Sequence, residues 1–136
     1  MFSEAPILIA EDSLYLSLDL SSAVEEMDGR VVGPASSVAE ALTLLARNEV
    51  AAAIVDFRLG DQDATALARQ LAERRVPFVI HTALTLSRDV CDVYADVPVL
   101  MKPLQPTAVL TRLFDEMCKA RGAPPHQIVR ILGIPS

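Results

Sequence analysis

Acidic, hydroxyl and ammonium side chains follow four of the short apolar runs in this 136-residue sequence. They are Glu11, Asp12, Asp56, Thr82 and Lys102. Asp56 ends an uninterrupted apolar run that turn residues close, a pattern typical of a strand buried on both faces of a parallel sheet. The carboxyl edge of such a sheet is where open α/β folds bind ligands. Taken alone, Asp56 is better explained as the cap of the next helix, so its functional interpretation depends on the other four residues.

One type of chemistry would use all the groups at this sheet edge, which are three carboxylates, a hydroxyl and an ammonium group. Crowded carboxylates repel one another and raise one another's pKa, and a divalent cation such as Mg²⁺ relieves that repulsion through oxygen ligands. A carboxylate such as Asp56 can attack phosphorus and form an aspartyl phosphate. The cation and Lys102 would neutralise the transferring oxygens, while the Thr82 hydroxyl donates to another. Each residue alone is weak support, since Lys102 could be a surface residue and Thr82 a strand former.

Strand and helix patterns alternate along the chain, which predicts an α/β fold. We expect strands at residues 6–10, 30–33, 51–55, 78–82 and 97–101. We expect helices over residues 14–27, from Ser36 or Ser37 to Asn48, from Asp61 or Asp63 to about residue 75, within 84–94, and from Pro106 onward. The alternation with short connections predicts a doubly wound parallel sheet of five strands flanked by five helices.

Prolines and polar residues set several of these boundaries. We expect Pro34 to break the second strand, and Pro98 to place the fifth strand at a sheet edge. Glu40 follows Ser36 and Ser37 at the spacing of a capping box.

Composition excludes several classes of function. The net charge is −6 and Lys and Arg do not cluster, which argues against nucleic-acid binding. No apolar run approaches the length of a membrane span, and the N-terminal residues lack the pattern of a signal peptide. Cys91 and Cys118 have no metal-type spacing, so we expect reduced thiols in a cytoplasmic protein, with a disulfide pair as the less favoured alternative. His126 lacks an obvious partner, and we interpret His81 as a hydrogen-bonded strand residue and not a metal ligand.

The last fifteen residues form a segment of their own. The sequence Gly122-Ala-Pro-Pro125 stops the final helix, and the segment that follows is too apolar for an idle disordered end. We therefore expect one domain over residues 1–121 and a C-terminal apolar tail over 122–136. The tail either packs back on the domain or contacts a partner, and we expect no separate output domain.

Together these motifs resemble the receiver domain of response regulators in two-component signalling. The matching pieces are ILIAEDS, VVGPASSVAEAL, AAIVDFRLGD, VPFVIHTA and VLMKPL. The resemblance covers roughly residues 5–120. It implies a flavodoxin-like, CheY-like sheet with strand order 2-1-3-4-5. It also implies that Asp56 accepts a phosphoryl group from a histidine kinase or a histidine phosphotransfer protein.

The resemblance assigns the remaining roles residue by residue. Glu11, Asp12, Asp56 and the backbone carbonyl of Arg58 would bind Mg²⁺. Thr82 would be the switch hydroxyl, Lys102 would pair with the phosphoryl group, and the Lys102–Pro103 bond would be cis. Many receivers carry an aromatic switch residue three positions before the lysine, where this chain has Val99. We therefore expect the segment Leu84–Tyr94 to carry the output instead.

Three functions are compatible with the sequence. The leading one is a single-domain, non-enzymatic phosphoacceptor that switches a partner-binding surface, with homodimer formation left open. The second is a degenerate receiver that binds partners without phosphorylation. The third is a phosphatase of the haloacid-dehalogenase type, which needs a second Asp two residues after the nucleophile on the first strand. Here Arg58 holds that position and Asp56 follows the third strand, so the phosphatase is disfavoured.

Overall fold

The computed structural model describes residues 1–83, 94 and 96–120 of the chain. Its strands are β1 (Pro6–Ala10), β2 (Arg30–Ala35), β3 (Ala52–Val55), β4 (Arg58–Leu59), β5 (Gln62–Asp63), β6 (Phe78–Thr82) and β7 (Val99–Met101). Its helices are α1 (Leu14–Glu26), α2 (Val38–Arg47), α3 (Thr65–Glu73) and α4 (Pro106–Ala120).

Five of the strands form one parallel sheet in the order β2-β1-β3-β6-β7. When only these five strands are counted, the order is 2-1-3-4-5, as the resemblance implied. The two remaining strands, β4 and β5, form a short antiparallel hairpin after β3. The predicted doubly wound fold is confirmed. The reversal of strand order lies between β1 and β3, and there the carboxyl ends of neighbouring strands open a crevice.

Helices cover both faces of the sheet, and each face has its own apolar cluster. On one face, α1 and α4 contribute Leu20, Val24, Leu110 and Leu113 to the cluster that contains Ile9. On the other face, α2 and α3 pack against Leu8, Val55 and Ile80. All four residues of β3 are buried, because the central strand is covered on both faces.

The start of α2 follows the expected polar chemistry. The Ser37 hydroxyl accepts a hydrogen bond from the Glu40 amide at 3.1 Å, and the Glu40 carboxylate accepts from the Ser36 amide at 2.8 Å. This confirms the capping box. At the start of α3 the N-cap residue is Ala64, and not Asp61 or Asp63 as expected. The Asp63 carboxylate, one residue earlier, accepts a hydrogen bond from the Thr65 amide at 3.0 Å, which lowers the pKa of Asp63.

The structure corrects two boundaries. Pro34 does not break β2, which continues to Ala35. β2 lies at the edge of the sheet, and an edge strand tolerates a proline because one side makes no ladder bonds. The hairpin of β4 and β5 was not predicted, since each strand has only two residues. The prediction that the strand with Pro98 is an edge strand is confirmed for β7, which starts at Val99.

Some predictions concern residues outside the described ranges. They include the helix within residues 84–94, apart from Tyr94, and the whole tail of residues 122–136. The limits of the domain stay a prediction for the same reason. Within the described ranges, each helix is too short or too polar to cross a membrane.

Candidate functional site

The candidate site lies at the carboxyl edge of the sheet, on the two central strands and β7. Ala10 of β1 pairs in register with Val55 of β3. One residue further along each strand, Glu11 and Asp56 therefore lie side by side, just beyond the reversal of strand order. Both are almost fully buried, at 3% and 7% exposure. Two buried carboxylates at this spacing require a compensating cation.

Lys102 provides that positive charge in the structure. Its Nζ lies 2.9 Å from Oε1 of Glu11 and 2.8 Å from Oδ2 of Asp56. Burial would lower the pKa of Lys102, but the hydrogen bonds to Asp56 and Glu11 and their charges outweigh burial, so the pKa is raised. Lys102 is therefore a charged ammonium group that bridges the two carboxylates.

Glu11 is held from two sides. Besides Lys102, the amide of Ser13 donates a hydrogen bond to Oε2 of Glu11 at 3.0 Å. Burial is the largest influence on the pKa of Glu11 and raises it. The hydrogen bonds from Lys102 and Ser13 oppose that effect, the charge of Asp56 adds to it, and the pKa of Glu11 is raised overall. Burial of the site therefore disfavours the negative charge of Glu11.

Asp12 adds a third carboxylate from the solvent side. It is exposed, and its Oδ2 accepts a hydrogen bond from the Gly60 amide at 2.9 Å. One oxygen from each of Glu11, Asp12 and Asp56 lies within 4.8 Å of the other two. Such a set of carboxylate oxygens, one of them open to water, suits a hard divalent cation such as Mg²⁺. The residues present therefore fit the expected metal.

The loop after β3 holds Asp56 in place. The Arg58 amide donates to Oδ1 of Asp56 at 3.2 Å, while Oδ2 faces Lys102. The contact between Gly60 and Asp12 links the same loop to β1. Sequence reasoning missed Gly60, although a glycine four residues after the acid marks a turn; its positive φ of 65° favours glycine. The role of the Arg58 carbonyl as a ligand stays a prediction.

Thr82 ends β6, which pairs with β3 on the side opposite β1. The residue is fully buried, and its carbonyl accepts a hydrogen bond from the Lys102 amide at 2.8 Å. The following bond, Lys102–Pro103, is cis, as expected. The structure thus brings Glu11, Asp12, Asp56 and Lys102 into one group and places Thr82 on the adjacent strand end.

His81 departs from its expected environment. The residue is 2% exposed, and neither Nδ1 nor Nε2 of its imidazole has a hydrogen-bond partner. The expectation of a hydrogen-bonded residue is therefore wrong for its side chain. Burial lowers the pKa of His81, the charge of Lys102 lowers it further, and Asp56 opposes both effects. The lowered pKa favours the neutral form of the imidazole.

An aromatic pair stands next to Asp56, on the face of the sheet that α3 covers. Phe57 and Tyr94 pack edge to face, with ring centroids 6.0 Å apart. Tyr94 is buried, and its hydroxyl donates to Oγ1 of Thr65 at 3.2 Å. Val99, which stands where many receivers have an aromatic residue, is partly buried against the same cluster. The sequence did not reveal this contact, because nothing in it relates residue 57 to residue 94.

Solved structures resemble this chain over most of its length. A response regulator receiver protein from Sinorhizobium medicae is 22% identical with a TM-score of 0.78, and the match covers 89% of this chain and 100% of the other. The non-phosphorylated HemR receiver domain from Leptospira biflexa is 25% identical with a TM-score of 0.73, covering 90% and 98%. SdrG from Sphingomonas melonis is 30% identical with a TM-score of 0.71, covering 86% and 98%.

Comparison at the level of sequence gives no such match. Neither the scan against protein-family models nor the search of curated proteins finds one. The similarity is therefore carried by the arrangement of strands and helices, and the function has to be argued from the site.

Proposed function

We propose that this chain, which has the CheY-like receiver fold of response regulators, accepts a phosphoryl group on Asp56 from a histidine kinase or a histidine phosphotransfer protein. The observation that carries the proposal is the bridge of Lys102 between Glu11 and Asp56. In this bridge the negative charge of the two carboxylates exceeds the positive charge of Lys102. The bridge therefore supports a site in which the Lys102 ammonium group can contact incoming phosphoryl oxygens.

In the proposed reaction, a carboxylate oxygen of Asp56 attacks the phosphorus of a phosphohistidine. The new P–O bond forms as the P–N bond breaks, and the electron pair of that bond stays on the imidazole of the donor. Lys102 then turns from the Asp56 carboxylate to a phosphoryl oxygen. Hydrolysis by water later returns Asp56 to its carboxylate form and releases inorganic phosphate.

The cation is expected to be Mg²⁺, held by Glu11, Asp12, Asp56 and the carbonyl of Arg58. When bound, it would neutralise charge on the transferring oxygens. Glu11 and Asp12 would hold it, while the Arg58 amide donates a hydrogen bond to Oδ1 of Asp56 and keeps that oxygen in a fixed orientation. The spread of negative charge over three carboxylates is what supports this role.

Switching is proposed to involve Thr82 and the region around Tyr94. In the proposed switch, the Thr82 hydroxyl donates a hydrogen bond to the phosphoryl group from the end of β6. The contact between Tyr94 and Phe57 supports a route from the residue after Asp56 to the surface beside α3. Val99 cannot serve as an aromatic switch, so the output would run through the segment Leu84–Tyr94.

The surface next to the site supports a protein donor. Leu14, Tyr15 and Leu18 at the start of α1 are 68%, 81% and 53% exposed, and they follow the acidic pair Glu11 and Asp12. Exposed apolar residues of this size are typical of a protein contact. We further propose a cytoplasmic location, which the free, exposed Cys118 supports.

Two alternatives are less well supported. A receiver that is never phosphorylated would not need three carboxylates and a lysine at one edge. A phosphatase of the haloacid-dehalogenase type needs its nucleophile on the first strand of the chain, whereas Asp56 follows β3. We therefore propose a phosphoacceptor and not an enzyme.

The test is to incubate the protein with Mg²⁺ and acetyl phosphate and to measure intact mass. We expect the added mass of one phosphoryl group, lost in Asp56→Asn and kept in Asp19→Asn, which removes an exposed carboxylate of α1. No added mass from acetyl phosphate or from phosphorylated histidine phosphotransfer proteins, in a folded protein, would contradict the proposal. It would favour the degenerate receiver.

A further inference from the structure

The buried imidazole of His81 lies beside the phosphoacceptor. Val55 of β3 pairs in register with Ile80 of β6, so one residue further along both strands Asp56 is the neighbour of His81. On the other side, His81 pairs with Leu100 of β7. Parallel neighbours at one level of a sheet are about 5 Å apart between strands, which is within reach of an imidazole.

Asp56 and His81 also share a face of the sheet. Ile54 and Val79, two residues earlier on each strand, both belong to the cluster with α1 and α4. Side chains two residues apart on a strand point to the same face. The charges of both Asp56 and Lys102 act on the imidazole, as expected for a ring on the strand next to Asp56.

The imidazole has no hydrogen-bond partner in this state of the protein. Both ring nitrogens are buried and unpaired, an arrangement that costs free energy, and that a Leu or Val at this position would avoid. A neutral imidazole still carries one N–H donor. Both oxygens of the Asp56 carboxylate already have partners, since Oδ2 accepts from Nζ of Lys102 and Oδ1 accepts from the Arg58 amide.

We infer that His81 is a further catalytic residue, which donates its N–H to the Asp56 carboxyl group once Lys102 has turned to the phosphoryl group. This inference rests on the proposed function. Hydrolysis of the aspartyl phosphate breaks the bond between phosphorus and the Asp56 oxygen, and the electron pair returns to the carboxylate. An N–H donor stabilises the negative charge that develops there. Water supplies the attacking oxygen, and the imidazole keeps its proton throughout.

The inference predicts that His81 shortens the lifetime of the phosphorylated state. His81→Leu fills the position with an apolar side chain and removes the N–H donor of the imidazole. Phosphorylated His81→Leu should lose its phosphoryl group about fivefold more slowly than the wild type, the effect of one hydrogen bond to a developing charge. His81→Asn and His81→Gln place an amide N–H near the position of Nδ1 and Nε2 respectively, and at least one of them should restore the wild-type rate.

The free energy of unfolding is a second measurement, and it separates a catalytic role of His81 from a purely structural one. His81→Leu should raise the free energy of unfolding of the unphosphorylated protein, because it removes two unpaired buried nitrogens. Ser21→Ala is the matched control, since the Ser21 hydroxyl is also buried without a partner, on α1. It should raise stability as well and leave the rate of phosphoryl loss unchanged.

The experiment phosphorylates each variant with acetyl phosphate and Mg²⁺, removes the donor, and follows the loss of phosphoryl mass with time. Slower loss in His81→Leu, with rescue by an amide variant, supports the inference. Equal rates in the wild type and His81→Leu overturn it and leave the proposed function standing. Absence of any phosphoryl mass on wild-type Asp56, with this or a protein donor, overturns both.

Discussion

The ammonium group of Lys102 lies 2.8 Å from Oδ2 of Asp56, although 46 residues separate them in the sequence. The same group contacts Glu11 at 2.9 Å, so one cation links the ends of β1, β3 and β7. The side chains of Glu11 and Asp56 are buried, and 14% of the Lys102 side chain is exposed, so the compensation of these charges is important for stability.

Replacing this cation should destabilise the metal-free protein. Lys102→Met leaves two buried carboxylates without a counter-charge, and we expect a loss of about 3 kcal/mol in the free energy of unfolding. Denaturant unfolding without metal measures it. Lys119→Met is the control, because Lys119 pairs with Glu116 at the surface of α4 and should cost less than about 1 kcal/mol. Equal losses in the two variants would contradict the assignment of Lys102.

Mg²⁺ should stabilise the protein through the three carboxylates. Asp12→Asn removes the exposed ligand without disturbing the buried pair, so we expect Mg²⁺ affinity to fall about tenfold while metal-free stability changes by less than about 1 kcal/mol. Thermal unfolding over a Mg²⁺ titration gives both numbers. Asp19→Asn has the same charge change on an exposed residue of α1. If Asp19→Asn weakened Mg²⁺ binding as much as Asp12→Asn does, the Mg²⁺ site would not be the one that contains Asp12.

The two tyrosines should differ sharply in their contribution to stability. Tyr94 is buried against Phe57, whereas Tyr15 is 81% exposed. We expect Tyr94→Ala to cost about 3 kcal/mol or more, and Tyr94→Phe about 1 kcal/mol from the lost bond to Thr65. Tyr15→Ala should change stability by less than about 0.5 kcal/mol. Urea denaturation measures all three, and similar effects of Tyr94→Ala and Tyr15→Ala would contradict the packing.

Acid should destabilise the protein through His81. The folded-state pKa of His81 is lowered from the usual 6.5 by burial and by Lys102, with Asp56 opposing. The unfolded chain then binds a proton that the folded chain does not, so the free energy of unfolding falls as pH drops below about 6.5. Because the raised pKa of Glu11 acts in the opposite direction, the quantity to measure is the difference between wild type and His81→Leu. His81→Leu should gain stability relative to the wild type between pH 7 and pH 5; a constant difference would count against a buried neutral imidazole.

Local patterns in the sequence determined the elements that hold the site. The apolar run before Asp56 predicted the buried strand β3, and the Ser37 and Glu40 pair predicted the start of α2, because strand burial and helix capping depend on neighbouring residues. The parallel α/β class also followed from the alternation of strands and helices. Together they placed Glu11, Asp12, Asp56, Thr82 and Lys102 at one edge, although the chemical roles of these residues stay predictions.

Only the tertiary structure decided which side chains meet within that edge. The register of β1, β3 and β6 sets Asp56 between Glu11 and His81, and register is fixed by the packing of whole strands against helices. The burial of both His81 nitrogens and the pairing of Phe57 with Tyr94 depend on contacts between distant parts of the chain. A single sequence carries no local signal for such contacts, since their free energy arises when the two segments are packed together.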